Sequence, residues 1–297
     1  MELITRSQQK SLLELLANHK AQFLNFQGVH YLDIGFKYVN RTPTAQLAIR
    51  IHVHEKKARH RLDASQILPN RLLHLPTDVI QSNLRLDAEP NSRDSRFNPL
   101  VGGIAIRNIR HNVLGTLGAI VLDRKTQTWV GISNHHVLVG EDGERGDPVT
   151  QPASTSINDI VGFVTRWNQE LDCALCSLNN SRLISPRILE IPTVPTGVKE
   201  PLLGMRVIKS GRTTGKTYGI IEGVSEQEFT IIPIGSEFNP PDKEISAPGD
   251  SGSIWLDISD HYAVGLHYAG EKDPDPQNER AWAKKMNQVA AALDITF

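Results

Sequence analysis

The stretch Ala247-Pro248-Gly249-Asp250-Ser251-Gly252-Ser253 decides how the rest of the 297-residue chain is read. It sets a serine between glycines in the pattern GDSGS, which makes Ser251 a candidate nucleophile. A serine hydroxyl attacks weakly unless a base stands beside it and hydrogen-bond donors face the oxyanion that develops. Gly249 carries no side chain, so the backbone there can turn the N–H groups of Gly249 and Ser251 into one small hollow. Glycine and serine also mark ordinary turns, so the reading depends on partners elsewhere in the chain.

Working outward, Gly131-Ile132-Ser133-Asn134-His135-His136-Val137-Leu138 ends a predicted strand with paired histidines. Leu171-Asp172-Cys173-Ala174-Leu175 places an acid at the start of another. A base and a group to orient it therefore precede the serine, at separations that only a fold can close.

In that order, S-N-H-H-V, L-D-C-A-L and G-D-S-G-S resemble the three signatures of trypsin-like, chymotrypsin-fold serine peptidases. Three ordered motifs are far more specific than any one of them. The resemblance covers residues 100–297 and is closest in kind to intracellular members with an N-terminal extension. It implies a mainly β protein of two six-stranded antiparallel barrels, a site in the cleft between them, a C-terminal helix, and peptide-bond hydrolysis through an acyl-enzyme. By that resemblance His136 takes the proton of Ser251 and returns it to the leaving amine. Asp172 fixes the imidazole tautomer, and Gly249 and Ser251 supply the oxyanion-hole N–H groups. The motif sets its histidine directly before a small or apolar residue, which selects His136, before Val137, over His135.

The segment Val264-Gly265-Leu266-His267-Tyr268-Ala269-Gly270 resembles the strand that lines the primary pocket, and implies Ser246, His267, Tyr268 and Gly270 as pocket residues. Glutamate-specific members pair a histidine at this place with a hydroxyl residue five positions before the nucleophile, here Ser246. Trypsin's acidic pocket position falls on Ile245, which speaks against cleavage after Lys or Arg. The plain alternative is a satisfied core histidine. Leu100-Val101-Gly102-Gly103 resembles the N-terminus that processed members expose to pair with the aspartate before the nucleophile, here Asp250; an unprocessed, strand-opening glycine pair is favoured.

The whole chain has 32 basic and 33 acidic residues and a formal charge of −1, which gives no global attraction to nucleic acid or a charged membrane. The first twenty residues lack the pattern of a secretion signal, and no long apolar run suggests a membrane span. Two cysteines, Cys173 and Cys176, exclude a disulfide framework and favour a reducing, cytoplasmic setting; they read as buried strand thiols rather than a metal or redox pair. No cofactor or metal is expected.

Residues 1–82 read as a small α/β accessory domain: an amphipathic helix over 7–24, then strands over 29–38, 45–54 and 77–81. It is read as regulating the rest or recruiting substrate. His52, His54 and His60 read as a solvated face rather than metal ligands. Residues 83–99, rich in Asp, Asn and Pro, form the linker to a peptidase domain over 100–297. There, short β runs recur between Gly, Pro, Asn and Asp, and 286–293 suits a closing helix. The GKT ending of Ser210-Gly211-Arg212-Thr213-Thr214-Gly215-Lys216-Thr217 misses phosphate-loop spacing by one residue, so a tight turn between strands is expected. A peptidase-fold scaffold that binds peptides with little turnover is the competing function.

Overall fold

The computed structural model describes residues 4–39, 42–57, 59–63, 66–82, 92–235, 238–240, 243–271 and 276–297. Residues 83–91 of the expected linker and Asn40 and Arg41 of the first turn lie outside them.

Helix α1 (Arg6–Leu24) begins where the sequence supplies a capping box: Thr5 Oγ1 accepts from the Gln8 N–H, and Gln8 Oε1 accepts from the Thr5 N–H. Its buried Leu16 and Phe23 pack on Ile34 and Ile49, which lie on strands β1 (Val29–Val39) and β2 (Thr42–Val53). β3 (Arg71–Leu72) and β4 (Leu75–Gln81) complete this unit, β4 running parallel to β2.

After β5 (Leu100–Gly102) come β6 (Ile104–Asn108), β7 (Gly115–Leu117), β8 (Ala119–Asp123), β9 (Thr128–Ser133), helix α2 (His135–Leu138), β10 (Pro148–Thr150), β11 (Ile160–Asn168) and β12 (Cys173–Ser177). These form one curled sheet ordered β8-β9-β12-β11-β10-β6-β7. It is a half-barrel that no ladder closes among the described residues. β13 (Ile184–Ile188) pairs in parallel with β5.

The second barrel does close. β14 (Arg206–Gly211), β15 (Gly215–Val224), β16 (Glu228–Pro233), β17 (Ile254–Asp257), β18 (Ala263–Gly270) and β19 (Ala281–Lys285) run in the order β14-β17-β18-β19-β16-β15, and β14 pairs back onto β15. Helix α3 (Met286–Leu293) follows, and β20 (Ile295–Thr296) returns to β8.

The same sheet continues past the barrel. β1 pairs antiparallel with β15, Ile34 opposite Val224 and Gly35 opposite Gly223. A Cβ at Gly35 would overlap the Glu222 carbonyl and the Arg50 guanidinium, so the close approach needs glycine there. Arg50, which donates to Asp33 on its own side at 2.6 Å, reaches across this seam to lie 2.9 Å from Glu222, which also accepts from Arg280 at 2.8 Å. Burial raises the Asp33 pKa, but the Arg50 guanidinium outweighs it and holds the carboxyl well below the usual carboxylate range. Gln9 adds a second tie, donating to the Pro201 carbonyl at 2.6 Å and accepting from the Leu203 N–H at 3.1 Å.

His52 departs from its expected solvated face. It is fully buried on β2, with Nδ1 3.0 Å from Ser82 Oγ and Nε2 3.6 Å from Asp33. The face of β2 that carries it is covered by the barrel, in particular by Trp282. His54 and His60 are exposed.

Candidate active site

Each of the three sequence motifs arrives where a strand ends. β9 runs out at Ser133, and Asn134 opens the single turn α2 that carries His136. Asp172 sits in the turn between β11 and β12, in the left-handed region at φ 43°. Its carboxylate takes two bonds from one residue: the His136 backbone N–H at 3.0 Å and His136 Nδ1 at 2.7 Å. Asn134 Nδ2 donates to the Asp172 carbonyl at 2.8 Å, which fixes the turn against the helix start. The bond at Nδ1 places that proton toward Asp172 and leaves Nε2 of a neutral ring as the basic nitrogen. His135, the rival, is turned into the fold against Trp167, with ring centres 6.3 Å apart, and burial lowers its pKa.

Ser251 is held by β7. The Thr116 N–H donates to the Ser251 carbonyl at 2.8 Å, and Thr116 Oγ1 donates to the Gly249 carbonyl at 2.7 Å. A Cβ on Gly115 would meet both methyls of Val137 at 2.5 Å and the Ser251 carbonyl at 3.1 Å, so the histidine and serine segments converge on this glycine. The Ser251 hydroxyl makes no hydrogen bond to His136; it donates to the Tyr268 carbonyl at 3.3 Å. Catalytic bonds of this kind are often long or misaligned before substrate binds.

Gly249 has φ 96°, a left-handed value that suits glycine alone. Neither its N–H nor that of Ser251 donates to any group among the described residues. The Pro248 carbonyl, at the other end of the same peptide, accepts from Thr213 Oγ1, which sets the Gly249 N–H on the opposite side.

Asp250 explains why the loop keeps this shape. Its carboxylate accepts from Lys209 Nζ at 2.8 Å, the Thr213 N–H at 2.8 Å, the Thr214 N–H at 3.1 Å, Thr214 Oγ1 at 2.5 Å and the Ala247 N–H at 3.2 Å. Burial pushes its pKa up, and the Lys209 ammonium more than reverses this, holding it at about 2. Both side chains are wholly buried. Lys209 thus fills the place a liberated amine would take, while Leu100–Gly102 lies paired in β5. The Ser210–Thr217 segment is the hairpin between β14 and β15, as its spacing implied, and its tip is the cradle for Asp250.

Of the expected pocket residues, Ser246 and His267 are buried, and among the described residues neither Ser246 Oγ nor His267 Nε2 makes a hydrogen bond of good geometry. Trp255 Nε1, which can only donate, reaches His267 Nδ1 at 3.4 Å. His267 therefore carries its proton on Nε2, beside the Trp282 carbonyl, to which it makes no bond of good geometry. Burial first, and the Lys209 ammonium second, lower its pKa to about 3, so the ring is neutral. Tyr268 turns its hydroxyl to Glu228 at 2.9 Å, with Lys284 4.9 Å above its ring, and Gly270 closes β18 opposite Ala281. Ile245 is buried, its carbonyl accepting from Thr217 Oγ1 at 2.9 Å.

Sequence reasoning missed Lys209, Thr116 and the threonines of the hairpin. The signal for Lys209 was available: alternation along β14 puts it on the face of Val207 and Gly211, and an inward lysine needs a carboxylate. Thr116 carried no such signal, since one threonine in an apolar strand is ordinary. Cys173 and Cys176 are buried free thiols whose pKa values burial pushes up to about 12. Among the described residues no group of three or more His, Cys, Asp or Glu is placed to hold a metal, and no helix is long and apolar enough to cross a membrane.

The half-barrel, the closed barrel and the cleft residues between them define the chymotrypsin fold of serine proteases. Protease A of Thermobifida fusca has this fold and matches with a TM-score of 0.50 and 17% identity, over 66% of this chain and 96% of its own. A Nocardiopsis protease matches at 0.48 and 15% identity, over 66% and 97%. A glutamic acid-specific serine protease that utilizes a histidine triad in substrate binding matches at 0.49 and 15%, over 66% and 99%. No family model and no curated protein matches the chain.

Proposed function

We propose that the protein is a serine endopeptidase in which Ser251 attacks the peptide carbonyl, His136 Nε2 accepts its proton, and Asp172 holds the imidazolium that forms. The observation that carries this reading is the doubly bonded His136–Asp172 pair beside two undonated N–H groups at Gly249 and Ser251. Rotation of the Ser251 hydroxyl away from the Tyr268 carbonyl brings it into use as substrate enters. The tetrahedral oxyanion then takes the two N–H groups, and the leaving amine collects the proton from His136.

The residue before the cut is acidic in this reading. Ser246 keeps a buried hydroxyl with no hydrogen-bond partner among the described residues, at a cost of about 1–3 kcal/mol, and the His267 Nε2 proton has only a poorly aligned Trp282 carbonyl beside it. A substrate carboxylate accepts from both.

A fluorophosphonate should label the wild-type chain at Ser251 and leave Ser251→Ala unlabelled, and His136→Ala should lose hydrolysis where His135→Ala keeps it. Peptide-library cleavage should be enriched for Glu or Asp before the cut. The Ser251–Tyr268 contact favours a second reading, a peptide-binding scaffold; binding of acidic peptides with no labelling at any pH would establish it in place of the first.

A further inference from the structure

The peptide between Pro248 and Gly249 can hold its N–H toward the cleft only while its carbonyl is held on the other side. At the tip of the β14–β15 hairpin Thr213 does this, backed by Arg212, whose Nη1 donates to its hydroxyl at 3.4 Å. Thr213 Oγ1 donates to the Pro248 carbonyl, and the Arg212 side chain lies so close that a Cβ on Gly249 would overlap its guanidinium. Thr116 joins them from β7, its hydroxyl accepting from the Arg212 N–H at 3.0 Å while donating to the Gly249 carbonyl.

Arg212 is wholly buried, and a buried guanidinium holds its orientation only if a planar partner meets it. That partner comes from outside both barrels. Asp94, at the end of the short turn Ser92–Asp94 that leads into β5, takes Arg212 Nε at 2.9 Å and Nη2 at 3.0 Å, the two-pronged arrangement that fixes the plane of both groups. The same turn is fastened by Arg93, which donates to Ser210 Oγ at 2.7 Å and lies 2.7 Å from Glu190.

We propose that Asp94 is a positioning residue for the oxyanion hole: its fork on Arg212 keeps Arg212 and Thr213 behind Gly249 and so keeps the Gly249 N–H facing the scissile carbonyl. The proposal rests on the serine-peptidase reading for its catalytic consequence, and on the hairpin geometry alone for its structural one. Arg212 stacks behind the reacting peptide and touches no substrate. Loss of Asp94 therefore acts on the transition state, where the oxyanion exists, and spares ground-state peptide binding.

The test uses the full chain carrying Asp94→Ala, Asp94→Glu and Arg212→Lys. Asp94→Ala should lower kcat by about 10–100-fold, less than the loss for outright removal of an oxyanion-hole donor, with KM changed by no more than about threefold. The affinity of a peptidyl boronic acid, whose tetrahedral adduct uses the hole, should fall in parallel, while that of a product peptide holds. Asp94→Glu should restore part of kcat. Arg212→Lys keeps the charge but loses the fork and should reproduce the Asp94→Ala signature, which covers the case in which Asp94→Ala does not fold.

The Gly249 amide resonance of ¹⁵N-glycine-labelled protein should shift in Asp94→Ala whether or not the wild type turns over. An unlabelled, inactive wild type would remove the peptidase reading alone. An unmoved Gly249 resonance, or a folded Asp94→Ala chain with wild-type kcat and boronate affinity, would overturn the positioning role. So would equal losses in boronate and product-peptide affinity.

Discussion

Lys209→Met removes the cation beside Asp250 while roughly keeping side-chain length, and its cost can be bounded from two sides. Taking one partner from a wholly buried ion pair typically costs about 3–5 kcal/mol, because the other charge is stranded. The stranded charge also has an escape: it can bind a proton. Doing so at pH 7 costs about 4 kcal/mol for a carboxyl whose unfolded value is near 3.8. The penalty at pH 7 is therefore about 3–4 kcal/mol, a large part of the roughly 5–15 kcal/mol that keeps a domain folded. The five donors around the carboxylate become four, none of them charged, and each favours the ionised form.

The sign of the pH dependence follows. In the wild type the Asp250 pKa is depressed to about 2, so its contribution is fully present above about 3.8 and is lost as pH falls toward 2. In the variant the folded value rises above 3.8, so the folded chain binds the proton first and gains relative stability as pH falls. The gap between the two proteins should narrow by about 1.4 kcal/mol per pH unit once the carboxyl of the variant is protonated. Urea unfolding from pH 5 to 8 measures it. Adding Asp250→Asn to Lys209→Met should recover stability without restoring full activity. A Lys209→Met chain that unfolds at the wild-type midpoint, or whose deficit does not change with pH, would refute this account of the loop.

Gly249→Ala places a methyl against Arg212 and a non-glycine residue at φ 96°, and should cut kcat by about 100-fold while thermal melting shows a folded chain. His267 is neutral in the fold, at about 3, and takes its proton near 6.5 when unfolded. Its contribution is therefore full above 6.5 and lost as pH falls from there toward 3, and His267→Gln should remove a slope of about 1.4 kcal/mol per pH unit from the acid side of the stability profile. Arg50→Met strands Asp33 beside the seam between β1 and β15, leaves Glu222 to Arg280, and should cost about 3–5 kcal/mol by denaturant unfolding. A change under about 1 kcal/mol would show that the seam carries little.

The sequence marked the helix over 7–24 and most barrel strands because capping, period-2 alternation and turn residues act locally. It missed β6, where Ile104-Ala105-Ile106-Arg107-Asn108 follows a glycine pair read for another purpose. The run over 116–122 reads as one strand, yet it divides into β7 and β8 at Gly118, a position whose Cβ would overlap the Gly252 carbonyl. The candidate site was legible in its motifs because glycines and charged groups have fixed neighbours there. What remained hidden was pairing over long separations: Lys209 with Asp250, Asp94 with Arg212, and β1 with β15. Those depend on which strands meet, and local pattern does not record it. His52 was misread for the same reason, since its covering partner Trp282 comes from near the other end of the chain.

The seam between β1 and β15 also sets an order of events during synthesis. The first strands leave the ribosome with the edge of β1 bare, and its complement, Gly223 and Val224, is added long afterwards. A bare edge is a site for pairing with the wrong strand, and contacts between such distant residues form slowly. A growing chain thus holds a half-finished sheet until the hairpin of β14 and β15 emerges. Ser251 follows later still, after the strand that completes the seam has been added.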